Sequence, residues 1–370
     1  MKLSQPQSAR SINNYRVLNL VRRKDRLSKA ELSRLLSLNK VSTGEIVDSL
    51  IEQGVIRETG KLASSNGRRA TALELVRSSR LVLAVDIGPK FCIIALANLG
   101  LELIRFERIP TESHKTPEDF CVSIIKSCMR TIKLAPKDSI LGMAITIPAG
   151  ISSDRKTIER CSFLPWGEIP IVEVMEKALG IHAVLSNSLE ALVLAENLDG
   201  EAGKCVFYVD WGERIDAALV KNKKVYSLLG AFGHLKVSQT GLCTCGQIGC
   251  LEAVASTWAL SQSPDASLKD IWDKVPLGQA LDAMATAFAL ASQVCGFDTI
   301  VIGGQGSTIP DGPLSKLTEL FDKYHHPYAS EAVILRSALG EKANIIAAAD
   351  YALDQFFFHS GFLVGVEEML

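Results

Sequence analysis

No apolar run of 18 or more residues occurs in this 370-residue chain, so a membrane-spanning helix is not expected. The opening stretch from Met1 to Arg10 lacks the apolar core of a secretory signal, and the expected location is therefore the cytoplasm. Low-complexity tracts and short-period repeats are also missing, and 47 % apolar residues suffice for two or three domains with substantial cores. An excess of one charge is absent from the whole, which carries a net −1, but not from its parts. Residues 1–80 hold 16 Lys and Arg against 7 Asp and Glu, a net +9, and the remainder holds 24 against 34, a net −10. A basic head on an acidic body suggests a nucleic-acid module joined to something else.

Nine cysteines are present, and three of them crowd one short stretch, G-H-L-K-V-S-Q-T-G-L-C-T-C-G-Q-I-G-C-L-E. Its His234, Cys243, Cys245 and Cys250 supply one imidazole and three thiolates, the donor set of a closed zinc site. Four protein ligands leave no coordination position for a reacting water, so the expected zinc is structural. Gly241, Gly246 and Gly249 provide the positive-φ turns needed to wrap an ion in a short loop. The other cysteines, at 92, 121, 128, 161, 205 and 295, are scattered among apolar residues and are expected as reduced core residues.

The basic head reads as a winged helix-turn-helix. Ile12, Tyr15, Val17, Leu18, Leu20 and Val21 lie near helical spacing as far as Arg23. A second helix opens on the capping box Ser28-Lys29-Ala30-Glu31 and turns Leu32, Leu35 and Leu36 inward. After a turn at 37–39, a third helix runs from about Lys40 to Gln53. It buries Thr43, Ile46 or Val47, and Leu50, and Gly54 stops it. Val55 to Leu75 then forms a β-hairpin wing with Arg68 and Arg69 near its tip. Such a unit presents its third helix to the major groove and its wing to phosphate or minor groove. The expected base-reading residues are Asn39, Lys40, Ser42 and Glu45, with Arg68 and Arg69 on phosphates or in the minor groove. Within the third helix, Gly44 costs about 1 kcal/mol relative to alanine.

The cysteine-rich block, down to Leu251-Glu252, resembles the signature of the ROK family of repressors, open reading frames and sugar kinases. The paired Asn13-Asn14 and Gly67-Arg68-Arg69-Ala70 resemble the pattern of its repressors. The resemblance extends over nearly the whole chain. It implies an α/β fold in which the winged helix-turn-helix of residues 1–78 precedes a two-lobed actin-like (ribonuclease H-like) ATPase fold. The first lobe is expected over 79–187, with the C-terminal helix a candidate to join it. The second is expected over 188–370, with the zinc loop at 233–252. Each lobe should open with three antiparallel strands around glycine turns, the first set within 81–108 and the second within 205–226.

The same resemblance locates the sites where a kinase of this family does its chemistry, and this chain departs from the pattern at most of them. The first phosphate turn reads Asp86-Ile87-Gly88-Pro89-Lys90-Phe91, in which proline removes an amide donor. The second reads Trp211-Gly212-Glu213-Arg214-Ile215, and Glu213 opposes a triphosphate. Ser188 stands at the position of the catalytic base, and a neutral hydroxyl cannot replace a carboxylate there. Phe163 and Ala231 stand where sugar-orienting Asn and Glu are usual. His234 and Glu252 remain of the five sugar contacts, and His234 lies one residue closer to the first cysteine than in the family pattern.

No catalytic residue and no ATP are therefore expected. The ligand pocket would involve Phe163, Asn187, Ser188, Ala231, His234 and Glu252. With most of its hydrogen bonds gone, it is suited to a less polar or smaller sugar-derived effector, or to none. The implied protein is a homodimeric or tetrameric regulator that binds a DNA operator of carbohydrate-related genes. A sugar kinase using Glu190 as an unconventional base and a scaffold that does not bind DNA are the alternatives.

Overall fold

The computed structural model describes residues 6–24, 26–62, 70–111, 114–136, 139–161, 163–196, 205–221, 224–229, 231–261 and 268–358. The chain divides into two compact units, Met1–Ser186 with Ala348–Leu370, and Asn187–Ala347.

In the first unit, helices α1 (Pro6–Arg23), α2 (Lys29–Leu36) and α3 (Lys40–Glu52) precede a hairpin of β1 (Ile56–Lys61) and β2 (Thr71–Leu75), paired antiparallel. The wing tip, with Arg68 and Arg69, lies outside the described residues. Val17, Leu18, Val21, Leu32, Val47, Leu50 and Leu73 are all buried and form the small core of this head. The Ser28 capping box is complete: the Ser28 side chain accepts from the Glu31 amide, and the Glu31 carboxylate accepts from the Ser28 amide at 2.8 Å. Thr43, Ile46, Val47 and Leu50 are buried as their spacing predicts.

Two details depart from the sequence reading. Helix α1 starts before Ile12, which is exposed, and Leu35 is 41 % exposed rather than turned inward. Helix α2 has only eight residues and ends in a left-handed Ser37, so its buried face consists of Leu32 and Ser33, the latter donating to the Leu38 carbonyl at 2.7 Å. Leu35 projects away from that face.

The head is joined to the rest of its unit by two arginines. Arg77 pairs with Glu102 at 3.0 Å, and its stem covers Gly100, where a Cβ would lie 2.7 Å from Arg77 Cδ. Arg22 on α1 pairs with Asp350 and lies over the Phe358 ring, 4.5 Å from its centroid.

The rest of the unit is built on a sheet of order β5-β4-β3-β6-β9: β3 (Leu81–Ile87), β4 (Phe91–Asn98), β5 (Leu103–Pro110), β6 (Ile140–Ile147) and β9 (Ala183–Asn187). The three opening strands are antiparallel and β6 runs parallel to β3. Strand β5 begins after Leu101, which adopts φ 61° in the preceding turn. Helix α4 (Pro117–Ile132) is capped by Thr116 and begins with proline, whose missing amide hydrogen costs nothing at that position. It packs with α5 (Ile171–Leu179) on a core containing Cys92, Phe120, Cys128 and Met175. A short hairpin of β7 (Gly150–Ile151) and β8 (Ile158–Arg160) follows β6.

The second unit repeats the plan with order β12-β11-β10-β13-β14: β10 (Cys205–Trp211), β11 (Ile215–Lys221), β12 (Lys224–Leu229), β13 (Thr299–Gly303) and β14 (Val333–Arg336). Again three antiparallel strands open it, and parallel strands continue it. Helices α6 (Ser188–Ala195), α7 (Glu252–Ala255), α8 (Thr257–Leu260), α9 (Leu268–Lys274), α10 (Gly278–Cys295) and α11 (Asp311–Tyr324) accompany this sheet, and α12 (Ala343–Leu353) closes the described helices apart from a final turn at 354–358. The core centres on Phe207, Trp211, Phe288 and Phe297.

The reciprocal cap makes α2 sensitive to single changes. Ser28→Ala should destabilise the head by about 1 kcal/mol, seen as faster amide exchange in α2. The Ser28 backbone amide, followed by the Ser28 side chain, holds the Glu31 carboxyl below its ordinary value. Stability from Glu31 is thus present above its unfolded-state pKa and is lost as pH falls through the lower folded-state value. Glu31→Gln should remove that part of the acid dependence, and an unchanged acid limb would refute the assignment.

Candidate functional site

His234 ends a single helical turn, Phe232–His234, and the chain after it folds back through two isolated bridges, Lys236 with Cys250 and Leu242 with Ile248. Cys243 donates its amide to the Gln247 carbonyl at 2.8 Å and accepts from the Gly246 amide at 2.9 Å, forming a tight knuckle. Gly241, Gly246 and Gly249 all have positive φ. At Gly249 the need is also steric, because a Cβ there would lie 1.9 Å from the Ser238 carbonyl oxygen.

This knuckle brings one ligand atom from each of His234, Cys243, Cys245 and Cys250 within 4.8 Å of every other, a group that could hold a metal ion. His234 Nδ1 is 3.5 Å from Cys243 Sγ, and Cys245 Sγ is 3.7 Å from Cys250 Sγ. Tetrahedral coordination with metal–sulfur bonds of about 2.3 Å and metal–nitrogen bonds of about 2.0 Å sets such edges at roughly 3.8 and 3.6 Å. The donor set and these two edges therefore suit a tetrahedral ion. Burial pushes the Cys243 thiol up to about 11, whereas the Gln247 amide holds exposed Cys245 below its ordinary value. Lys236, which sequence reasoning missed, places Nζ 3.5 Å from Cys250 Sγ and donates to the Ile248 carbonyl at 2.6 Å. Its signal was its position opposite Cys250, invisible without the fold.

Glu252, expected as a ligand contact, is only 3 % exposed and is already engaged. Its carboxylate accepts from the Ile215 amide at 3.1 Å and from the Thr244 hydroxyl at 3.4 Å, joining the metal knuckle to the turn between β10 and β11. Beside it, burial pushes the Asp216 carboxyl above its ordinary value. Ala231 is exposed and His234 half-buried. Asn187 caps α6, its side chain accepting from the Leu189 amide at 2.9 Å, and Ser188 is buried in the first turn with Glu190 half-buried next to it. Phe163 belongs to the first unit, packed against its core, and the other expected ligand residues belong to the second.

At each glycine turn the glycine amide is bonded within the chain. Gly88 donates to the Phe91 carbonyl at 3.0 Å, Gly212 donates to the Arg214 carbonyl at 2.9 Å, and Ile215 donates to Glu252. A phosphate cradle needs such amides to point at the ligand.

On the head, Lys40 and Glu45 are exposed and Ser42 is half-buried. The exposed Asn39 also caps α3, its side-chain oxygen accepting from the Ser42 amide at 2.7 Å. Among the described residues no helix is long and apolar enough to cross a membrane.

The family model described as the ROK family matches residues 82–355. The chain is 27 % identical over 260 residues to the xylose repressor of Caldicellulosiruptor bescii, a match spanning 68 % of this chain and 65 % of that protein. It is 22 % identical over 383 residues to the xylose repressor of Bacillus subtilis, covering 96 % of this chain and 98 % of that one. Among solved structures, a ROK family transcriptional regulator described as a homologue of the E. coli MLC protein aligns with a TM-score of 0.73 at 23 % identity, over 96 % of this chain and 98 % of that one. A ROK family glucokinase from Streptomyces griseus in complex with glucose and AMPPNP aligns with a TM-score of 0.59 at 20 % identity, over 74 % of this chain and 99 % of that one.

The knuckle geometry carries its own test. Cys250→Ser should abolish stoichiometric metal in the purified protein and lower its Tm by several degrees, because a closed site contributes its binding energy to folding. A variant that melts like the parent would remove the structural role.

Proposed function

The chain belongs to the ROK family, and on that premise we propose that it is a DNA-binding transcriptional regulator of carbohydrate-related genes whose kinase-like core no longer transfers phosphate. In this reading residues 1–78 bind an operator, and the lobes at 79–187 and 188–370 serve for dimerisation and effector binding. Lys40, Ser42 and Glu45 face the major groove, while Arg68 and Arg69 on the wing face phosphates. Asn39 contributes by holding the start of α3. The protein acts in the cytoplasm as a homodimer or tetramer, since two half-sites on DNA call for at least two heads.

The observation that supports a loss of catalysis is that the Gly88, Gly212 and Ile215 amides at the two glycine turns are bonded within the chain. Ser188 at the base position and Glu213 in the second turn act in the same direction, the one unable to take a proton and the other repelling phosphate. Zinc at His234, Cys243, Cys245 and Cys250 is structural, because four protein ligands exhaust a tetrahedral shell. The effector is a sugar derivative less polar than a free hexose, or is absent. Glu252 is committed to Ile215 and Thr244, and Phe163 and Ala231 offer no hydrogen-bonding side chain.

The deciding experiment titrates the purified protein against DNA from its own upstream region in rising salt, with and without a panel of sugars and sugar phosphates. Specific binding with a steep salt slope is expected, and Arg68→Ala with Arg69→Ala should flatten that slope. An unchanged slope would remove the wing assignment. ATP consumption with any hexose of the panel would instead favour a kinase using Glu190.

A further inference from the structure

Helix α3 has two features that its own fold does not require. Gly44 stands inside a 13-residue helix, outside the positive-φ residues, and a Cβ at that position would meet nothing within 4 Å. Neither backbone conformation nor packing excludes alanine there, and alanine is the better helix former. Three residues earlier, Val41 is 72 % exposed although it is a large apolar side chain on a short helix. Residues three and four apart share a helix face, so Val41, Gly44 and exposed Glu45 form one strip. It lies opposite the buried Thr43, Ile46, Val47 and Leu50.

We propose that this strip is the base-reading surface of the head, with Val41 packed on a thymine methyl group and Glu45 accepting from a cytosine amino group. Gly44 lets the helix backbone settle against the base edges where a side chain would hold it off. The inference rests on the DNA-binding reading above. The major groove is where a thymine methyl and a cytosine amino group both project, and the minor groove offers neither. An acceptor-only carboxylate at this place rejects guanine O6 and N7 and therefore adds discrimination rather than general affinity. One valine between a glycine and a carboxylate is too small an apolar anchor for a protein partner. The rest of the neighbourhood agrees with DNA. Asp48, the next residue along the strip, is paired with Lys29, and Lys40, next to Val41 in the chain, is exposed.

The test uses the full chain and the DNA sequence it enriches most strongly from a random pool, amplified once with thymidine and once with deoxyuridine triphosphate. Deoxyuridine DNA lacks every thymine methyl. Wild-type protein should bind it about three- to fivefold more weakly per contacted methyl. Val41→Ala should bind thymine DNA more weakly and lose little more on deoxyuridine DNA. Gly44→Ala should raise Tm yet lose tenfold or more in specific binding, with the salt slope unchanged because no phosphate contact is removed. If wild type binds its selected site but tolerates both deoxyuridine and Gly44→Ala, the inference falls and the regulator reading stands. If no sequence is enriched, the regulator reading falls and takes the inference with it.

Discussion

A buried carboxylate must find donors or it destabilises the structure that holds it, and in this protein that requirement shapes the second unit. Glu252 finds them in the Ile215 amide and the Thr244 hydroxyl. The first lies at the start of β11 and the second within the cysteine knuckle, so one side chain fastens the metal loop to the turn that a kinase uses for phosphate. The close approach of Gly233 to the same place leaves little freedom, since a Cβ there would lie 2.3 Å from the Ile215 carbonyl oxygen. The knuckle, the turn and the first residues of α7 are thus tied together through one side chain.

This explains which parts of the family signature the chain keeps. Gly233 and Gly249 are held by backbone approaching backbone, and Gly304 by a positive φ together with the Asp210 carboxylate, which a Cβ would meet at 2.0 Å. Position 231, where the family has a glutamate, is exposed. Nothing in the packing defends a particular side chain there. His234 differs because the knuckle requires its imidazole.

Much of the fold was legible in the sequence because its signals are local. Ser28 with Glu31, Thr116 with Pro117, and the buried set of α3 each depend on residues within a turn or two of one another. The clustering of His234 with the three cysteines was equally legible, since their chemistry and spacing imply one another. What was not legible depends on contacts distant in sequence or on small geometric choices. Leu35 was assigned inward because spacing alone cannot show where an eight-residue helix ends. The bond from Glu252 to the Ile215 amide, 37 residues away, could not be seen. The place of Asn39 before α3 makes it a cap, a use that Asn shares with Ser and Asp and that the spacing of apolar residues does not reveal.

The core and the head use their polar and apolar groups in opposite ways. In the core, the Gly88, Gly212 and Ile215 amides are bonded within the chain, and each such bond lowers the gain available from a ligand at that group. In the head, residues have been left without partners inside the chain. Gly44 forgoes helix propensity and Val41 forgoes burial, although alanine and a polar residue would suit the isolated helix better. A closed core contributes rigidity and an incomplete helix face contributes selectivity. Both serve the regulator reading, the first by fixing the geometry of the core and the second by giving the head a surface with which to read.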